Sequence, residues 1–257
     1  MALYDDAAPR YDLVRRADPD IAHRLARLLK LGDDDPALDL ACGTGNYTLA
    51  LNAMGGHWLG VDANRAMLDR AIAKAPTLDW INARAEQLPF ANEHFESVST
   101  VLSVHHYTDK LAAFTEVRRV TRSRFATFAC TREQTANYWI WHYFPRFKAP
   151  YLATLPSQRE MSVALRRAGF RRVTWQPYWV SPHLRDGFLY AGKFDPSVYL
   201  DPIRRAGMST FSVLDDPSLF TDGLAALQHD VDTGAWHRQL ARSNDRDGDY
   251  LFGLAET

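Results

Sequence analysis

Two glycines one residue apart, Gly43 and Gly45, separate a short apolar run, Ala37 to Ala41, from a helix-like segment starting at Tyr47. A buried parallel strand, a tight turn and a helix N-terminus have this pattern, which holds nucleotide-like ligands in open α/β folds. The glycines let the backbone turn sharply and approach a ligand closely. Asp39 puts a carboxylate at the strand end, where a cationic or hydroxyl-bearing ligand can meet it. Asp62 closes the next apolar run, His57 to Val61, somewhat under twenty residues beyond the glycines. A carboxylate at that strand tip is placed to bind both hydroxyls of a ribose lying across the strand ends. His105 and His106 end a later strand, where an imidazole can take a proton from a nucleophile near neutral pH. Neighbours in extended chain face opposite ways, and His106 is the favoured base. The alternative is that both histidines only bond loop backbone.

The elements that must position these groups follow in order. A helix is expected after Asp18, with Pro19 in its first turn, Ile21, Leu25, Leu28 and Leu29 on one face, and Gly32 as its stop. Strands are expected at 37–41, 57–61, 78–82, 97–104 and 125–130, with helices at 47–54, 64–74 and 110–120 between them. This βα alternation argues for a parallel sheet covered on both faces. Beyond Cys130, residues 135–152 crowd Tyr138, Trp139, Trp141, Tyr143 and Phe144 around two prolines. That cluster reads either as an apolar wall for a flat small molecule or as a mini-core beneath a lid. A helix over 157–169 and a strand over 172–180 follow. Residues 181–247 form a long excursion with helical stretches near 196–206 and 217–231, and 248–256 close the sheet antiparallel at one edge. The whole chain, 1–257, is read as one domain: an N-terminal flap and helix (1–36), a cofactor-binding core (37–180), a lid (181–247) and a closing strand (248–257).

Composition narrows the class. The 257 residues are 46% hydrophobic and 24% charged, enough for a full core, and the formal net charge of -1 offers no global field for a polyanion. Cys42 and Cys130 form no CxxC pair, which suits a reducing compartment. With no apolar leader or membrane-length run, the expectation is a cytoplasmic protein without membrane partners. No metal-ligand spacing appears, and the run Asp33 to Asp35 reads as a solvated turn. A nicotinamide-binding fingerprint would place a small residue where Thr48 stands, and Asp39 suits a cationic ligand better than a pyrophosphate.

Four segments, Leu38 to Thr48 (LDLACGTGNYT), Gly60 to Leu68 (GVDANRAML), Ala83 to Phe90 (ARAEQLPF) and Phe95 to Asp109 (FESVSTVLSVHHYTD), together resemble the class I S-adenosylmethionine-dependent methyltransferases. The likeness spans roughly residues 37–180 plus the closing strand. It extends more loosely to a bacterial branch with a YFP aromatic segment, Tyr199 to Pro202 and Ala206 to Phe211. It implies a Rossmann-like, doubly wound, mostly parallel seven-stranded sheet with an antiparallel last strand and helical and aromatic insertions. It also implies S-adenosyl-L-methionine as cofactor. Asp39 would lie near the cofactor's ammonium group, and Ala41, Gly43, Thr44 and Gly45 along its methionine and ribose portion. Asp62 would bind the ribose hydroxyls. Ala63 and Met67 would flank the adenine, the Ala85 amide would meet its edge, and Leu102 and Ser103 would line the sulfonium region. Many relatives carry Asp where Arg84 stands, so Glu86 would have to serve the adenine amino group through a shifted loop, or the contact is absent. Met67 also reads as a core residue.

Methyl transfer from a sulfonium is a direct displacement that needs alignment and exclusion of water more than catalytic side chains. Tyr11 and Arg15 read as a flap over the cofactor or as surface. Tyr138, Trp141, His142, Tyr143 and His183 are the candidates to bind a small-molecule acceptor. The basic clusters Arg118, Arg119, Arg122 and Arg124, and Arg166, Arg167, Arg171 and Arg172, motivate a nucleic-acid acceptor instead. Their place at expected helix ends favours plain solvation. A cofactor-binding regulator without turnover is the third reading.

Overall fold

The computed structural model describes residues 8–212, 218–243 and 246–257. Tyr4, in the N-terminal flap, and Pro217, at the start of the second helical stretch of the excursion, lie outside the described residues.

Seven strands form one sheet in the order β3-β2-β1-β4-β5-β7-β6. They are β1 (Pro36–Leu40), β2 (His57–Asp62), β3 (Asp79–Asn82), β4 (Phe95–Val101), β5 (Thr121–Ala129), β6 (Arg172–Tyr178) and β7 (Tyr250–Glu256). The first five pair in parallel, while β7 runs antiparallel between β5 and β6. This is the doubly wound architecture expected above. Side chains alternate faces along each strand. Ala37, Ala126 and Phe128 therefore pack with one apolar cluster, and Leu38, Leu40, Phe125 and Ala129 with the other.

The helices are α1 (Ala8–Val14), α2 (Pro19–Leu29), α3 (Asn46–Asn52), α4 (Arg65–Lys74), α5 (Lys110–Val120), α6 (Arg132–Thr135), α7 (Pro145–Thr154) and α8 (Gln158–Arg167). The excursion adds α9 (Ser197–Leu200), α10 (Pro202–Ala206), α11 (Ser209–Ser212), α12 (Ser218–Thr233) and α13 (His237–Arg242). Asp18 caps α2 by accepting from the amides of Asp20 and Ile21, and Ile21, Leu25 and Leu29 are buried. The helix ends earlier than Gly32 because Lys30 takes the left-handed cap (φ 54°). Gly32 instead belongs to a turn held by the Asp35 carboxylate at 2.7 Å.

Two strand boundaries matter for the site. β4 stops at Val101 because Leu102 adopts φ 50°, and the histidines then fall in a 3-10 turn, Val104–His106. The aromatic stretch becomes α6, a second 3-10 turn (Trp139–His142) and α7. Trp139, Trp141, Tyr143, Phe144 and Phe147 are all buried with Tyr190, Tyr199 and Trp236 of the excursion. Between the two readings of this stretch, the packing favours a mini-core, with one exception described next.

Candidate active site

In a parallel sheet the strand tips leave a crevice where the chain crosses to either side of the first strand. Here β1, β2 and β4 end together, and a cavity of about 350 Å³ opens over them. Ala41, Gly43, Asp62, Ala63 and Met67 form its wall on the β1 and β2 side. Asp62 is held rigidly: one carboxylate oxygen accepts from the Gly43 amide at 2.8 Å and the other from the Asn64 amide at 2.7 Å. Burial pushes its pKa up, against the pull of these backbone bonds. Gly43 has φ 57°, and nothing stands within 4 Å of where a Cβ would be, so the backbone here is open to a ligand. Ala41 and Leu102, both on the cavity wall, hold φ of 55° and 50° without being glycine. Such backbone strain persists only where the surroundings enforce it and gathers at functional sites.

Asp39 and Thr44 are not on this wall. They border a smaller adjoining recess with Tyr11, Arg15 and Asp186. Asp39 accepts hydrogen bonds from Thr48 at 2.6 Å and Ser99 at 3.1 Å. Burial raises its pKa to about 6 despite those bonds. Its carboxylate thus ties β1 to α3 and β4. Gly45 also departs from expectation: a Cβ there would lie 2.4 Å from the Trp80 ring, so the glycine makes room for packing beneath the turn.

Arg84, Ala85 and Glu86 line the cavity, and so do Leu102 and Ser103. Glu86 accepts from the amides of Thr108 at 2.8 Å and Asp109 at 3.3 Å, and Arg84 lies 3.4 Å from its other oxygen. The Arg84 guanidinium also donates to Thr108 at 2.8 Å. The loop is therefore braced by both residues. The Ser103 hydroxyl joins Thr100 and Tyr107 in an internal network.

His105 and His106 both line the cavity, their ring centroids 3.9 Å apart. The expectation that only one could face it assumed extended chain, and the 3-10 turn removes that restriction. The Nδ1 atom of His105 lies 3.7 Å from Cys130 Sγ. Loss of hydration pushes the His106 pKa down to about 4, with Arg15 and Lys110 adding to the effect. Burial, and then His106 and Lys110, push His105 well below its ordinary value. Both rings are neutral at pH 7.

Helix α1 roofs the crevice. Tyr11 and Arg15 line it, and Asp12 accepts from Thr44 at 2.6 Å, Asn46 at 3.1 Å and Lys74 at 3.0 Å. Burial would raise the Asp12 pKa, but the bonds from Thr44 and Lys74 outweigh it and hold the carboxyl below its usual value. Arg15 pairs with the buried Asp186 through Nε at 2.5 Å and Nη2 at 3.1 Å. Asp186 also accepts from the Tyr47 hydroxyl at 3.1 Å. Removing one member of such a pair strands the other charge, at a cost of about 3–5 kcal/mol. Asp186→Ala is expected to lose stability on that scale in urea titration; a loss below about 1 kcal/mol would show the pair to be dispensable.

Of the acceptor candidates, Tyr138 lines the cavity. Trp141, His142, Tyr143 and His183 are not on its wall. Trp141 is buried and donates to the Thr135 carbonyl at 2.6 Å, and the Tyr143 hydroxyl bonds Asp230 at 2.7 Å. His142 and His183 are exposed. The far wall is instead built by Cys130, Thr135 and Tyr151 with Phe188, Met208 and Tyr250. Thr135 and Tyr151 belong to the aromatic stretch and Met208 to the Ala206 to Phe211 segment, but none of the six is among the named acceptor candidates. The basic clusters fall at the amino ends of β5 and β6, at the opposite edge of the sheet from the cavity. There Arg119 bonds Glu116 and two carbonyls, Arg122 the Glu93 carbonyl, and Arg124 the Leu28 carbonyl.

Among the described residues, no group of three or more His, Cys, Asp or Glu is placed to hold a metal ion, and no helix is long and apolar enough to cross a membrane. Residues 37–124 match a family model described as a methyltransferase domain. The chain is 30% identical over 207 residues to a ubiquinone/menaquinone biosynthesis C-methyltransferase of Acidiphilium cryptum, covering 68% of this chain and 83% of that protein. It is 28% identical over 131 residues to a demethylmenaquinone methyltransferase of Thermotoga maritima, covering 48% of this chain and only 57% of the relative. A solved structure from Anabaena variabilis, described as a candidate methyltransferase of an antibiotic biosynthesis pathway, superposes with a TM-score of 0.84 at 27% identity, covering 94% of this chain and 98% of that one.

Proposed function

Because this chain belongs to the class I S-adenosylmethionine-dependent methyltransferases, we propose that it methylates a small, flat, largely apolar acceptor held in the far half of the cavity. One observation carries this reading: a single cavity is shared by Asp62, by the histidine turn, and by the aromatic side chains Tyr138, Tyr151, Phe188 and Tyr250. The strand order supports the layout, since the turn after β4 falls between the tips of β1 and β2 and those of β5 and β7. Aromatic faces around a mostly apolar chamber suit a planar ring. The relatives' quinone-type names agree with such an acceptor.

The residues present fit S-adenosylmethionine. Asp62 accepts from backbone amides on both oxygens and retains acceptor capacity for the ribose hydroxyls. The open face of Gly43 lets the ligand lie against the backbone. Ala63 and Met67 offer apolar contact to the adenine, and Tyr11 and Arg15 cover the methionine end next to Asp39. When bound, the cofactor supplies an electrophilic methyl group on sulfur, open to direct displacement. The roofing helix and the apolar wall keep water from the reacting atoms. His106, neutral at pH 7, takes the proton from an acceptor hydroxyl as its oxygen becomes nucleophilic. His105, anchored toward Cys130, supports the turn that presents His106.

The test is product analysis. Incubation with S-adenosylmethionine and a panel of reduced benzoquinones and naphthoquinones should yield at least one acceptor heavier by one methylene in the mass spectrum. Cofactor binding without any methylated acceptor across the panel would contradict this acceptor class.

A further inference from the structure

We propose that Tyr107 is a positioning residue for methyl transfer: its hydroxyl, joined to those of Thr100 and Ser103, clamps the histidine turn and fixes where His106 stands. This rests on the reading of His106 as the base.

Thr100, Ser103 and Tyr107 are buried, and their hydroxyls bond one another. Thr100 Oγ1 donates to the Leu40 carbonyl at 2.7 Å. Its one hydrogen is then spent, so toward Ser103 and Tyr107 it is the acceptor. The Tyr107 hydroxyl stands 2.9 Å from Thr100 Oγ1 and 3.2 Å from Ser103 Oγ. Burial pushes the Tyr107 pKa up to about 12, so the phenol keeps its hydrogen for this network. A phenylalanine would fill the same apolar space, where the ring meets Phe114 edge-on at 6.4 Å between centroids. The cost of burying the hydroxyl is offset only by the bonds it makes.

Those bonds tie together three segments of the chain. Leu40 closes β1, Thr100 lies one residue from the end of β4, and Ser103 and Tyr107 bracket the turn Val104–His106. The carbonyl that Thr100 holds belongs to the peptide before Ala41 (φ 55°), and Leu102 (φ 50°) lies between Thr100 and Ser103. Both left-handed residues of the cavity wall are thus pinned by the same hydroxyls, and the Leu102 amide is also held by the Phe128 carbonyl at 2.7 Å. Such strain persists only where the surroundings over-determine it. The His106 amide donates to the Ser103 carbonyl at 2.8 Å, and the Tyr107 amide to that of Val104 at 3.3 Å. The imidazole goes where this clamped backbone carries it. A displacement of about 1 Å at a reacting group can cost about a hundredfold in rate.

The experiment follows the His106 imidazole by NMR in protein carrying isotope-labelled histidine and saturated with S-adenosylhomocysteine, its resonance identified by loss in His106→Ala. In the wild type the resonance should stay flat as pH falls from 8 to 5. In Tyr107→Phe a loosened turn hydrates the ring, and its midpoint should rise by about one pH unit or more. Arg15 and Lys110, the cations that act on the ring, and the neighbouring His105 are unchanged in the variant, so the shift reports burial. Thr100→Val, at a residue outside the cavity wall, should shift the midpoint the same way. With an acceptor that the wild type methylates, Tyr107→Phe should lower kcat about tenfold while S-adenosylhomocysteine affinity stays within about threefold. A resonance that stays flat in the variants, or a wild-type kcat, would overturn the clamp even if Tm falls. If Tyr107→Phe does not fold, Thr100→Val carries both measurements. Wild-type turnover in His106→Ala would instead end the base reading, and a panel without product the acceptor reading; in either case the titration alone decides the clamp. If S-adenosylhomocysteine does not bind, the cofactor reading fails and the titration is run in the unloaded protein.

Discussion

Replacing Asp62 with alanine is expected to weaken S-adenosylhomocysteine binding by about a hundredfold or more. A hydrogen bond to a charged group contributes about 1.5–3 kcal/mol, so the loss of two ribose bonds reaches that range. The carboxylate also fixes the Gly43 and Asn64 amides at 2.8 and 2.7 Å. Its removal therefore loosens the glycine turn along with the ribose contact. Asp62→Asn keeps the shape and one acceptor oxygen, and should fall between the two. Titration calorimetry provides the readout, and an unchanged Kd in Asp62→Ala would remove the ribose assignment.

The second large effect concerns His106. Substitution by alanine should lower kcat by about 10²–10⁴-fold, the usual worth of a positioned general base, while S-adenosylhomocysteine affinity stays within about threefold. The two readouts separate proton transfer from cofactor binding. The pH profile gives an independent check. His106 must be unprotonated to accept a proton, and its pKa is pushed down to about 4. The wild-type rate should thus stay level as pH falls from 8 toward 5 and decline only as the ring takes up a proton near 4. The residual rate of His106→Ala should lack that acid limb. Wild-type turnover in the variant would end the base assignment and leave alignment as the source of rate.

The crevice at the tips of β1 and β2, proposed to hold the cofactor, was legible because its determinants are local. A strand, a glycine turn and a carboxylate at the next strand tip lie close together in sequence, and their spacing alone brings Gly43 and Asp62 to one crevice. Gly45 takes the sharp turn expected of it (φ 77°), but its packing role was not legible, because the ring of Trp80 that fills the space beneath it comes from another strand. The histidine turn shows a similar limit. Strand-like alternation continues through Val104, but the left-handed backbone at Leu102 breaks it and turns both imidazoles toward the cavity.

The proposed acceptor half was legible only as a concentration of aromatic residues. Density alone could not separate Tyr138, which faces the cavity, from Trp141 and Tyr143, which are held by Thr135 and Asp230. Phe188, Met208 and Tyr250 reach the chamber from segments far apart in the chain, so no period or spacing links them to β4 or β5.

A crystal structure with S-adenosylhomocysteine and 2-naphthol tests the central claim most directly, that one cavity holds cofactor and acceptor on either side of the histidine turn. The account predicts the ribose hydroxyls on Asp62, the sulfur facing the chamber walled by Tyr138, Phe188 and Tyr250, and the naphthol ring within it, its oxygen toward His106. A sulfur atom turned away from that chamber, or a cofactor bound without contact to Asp62, would contradict it.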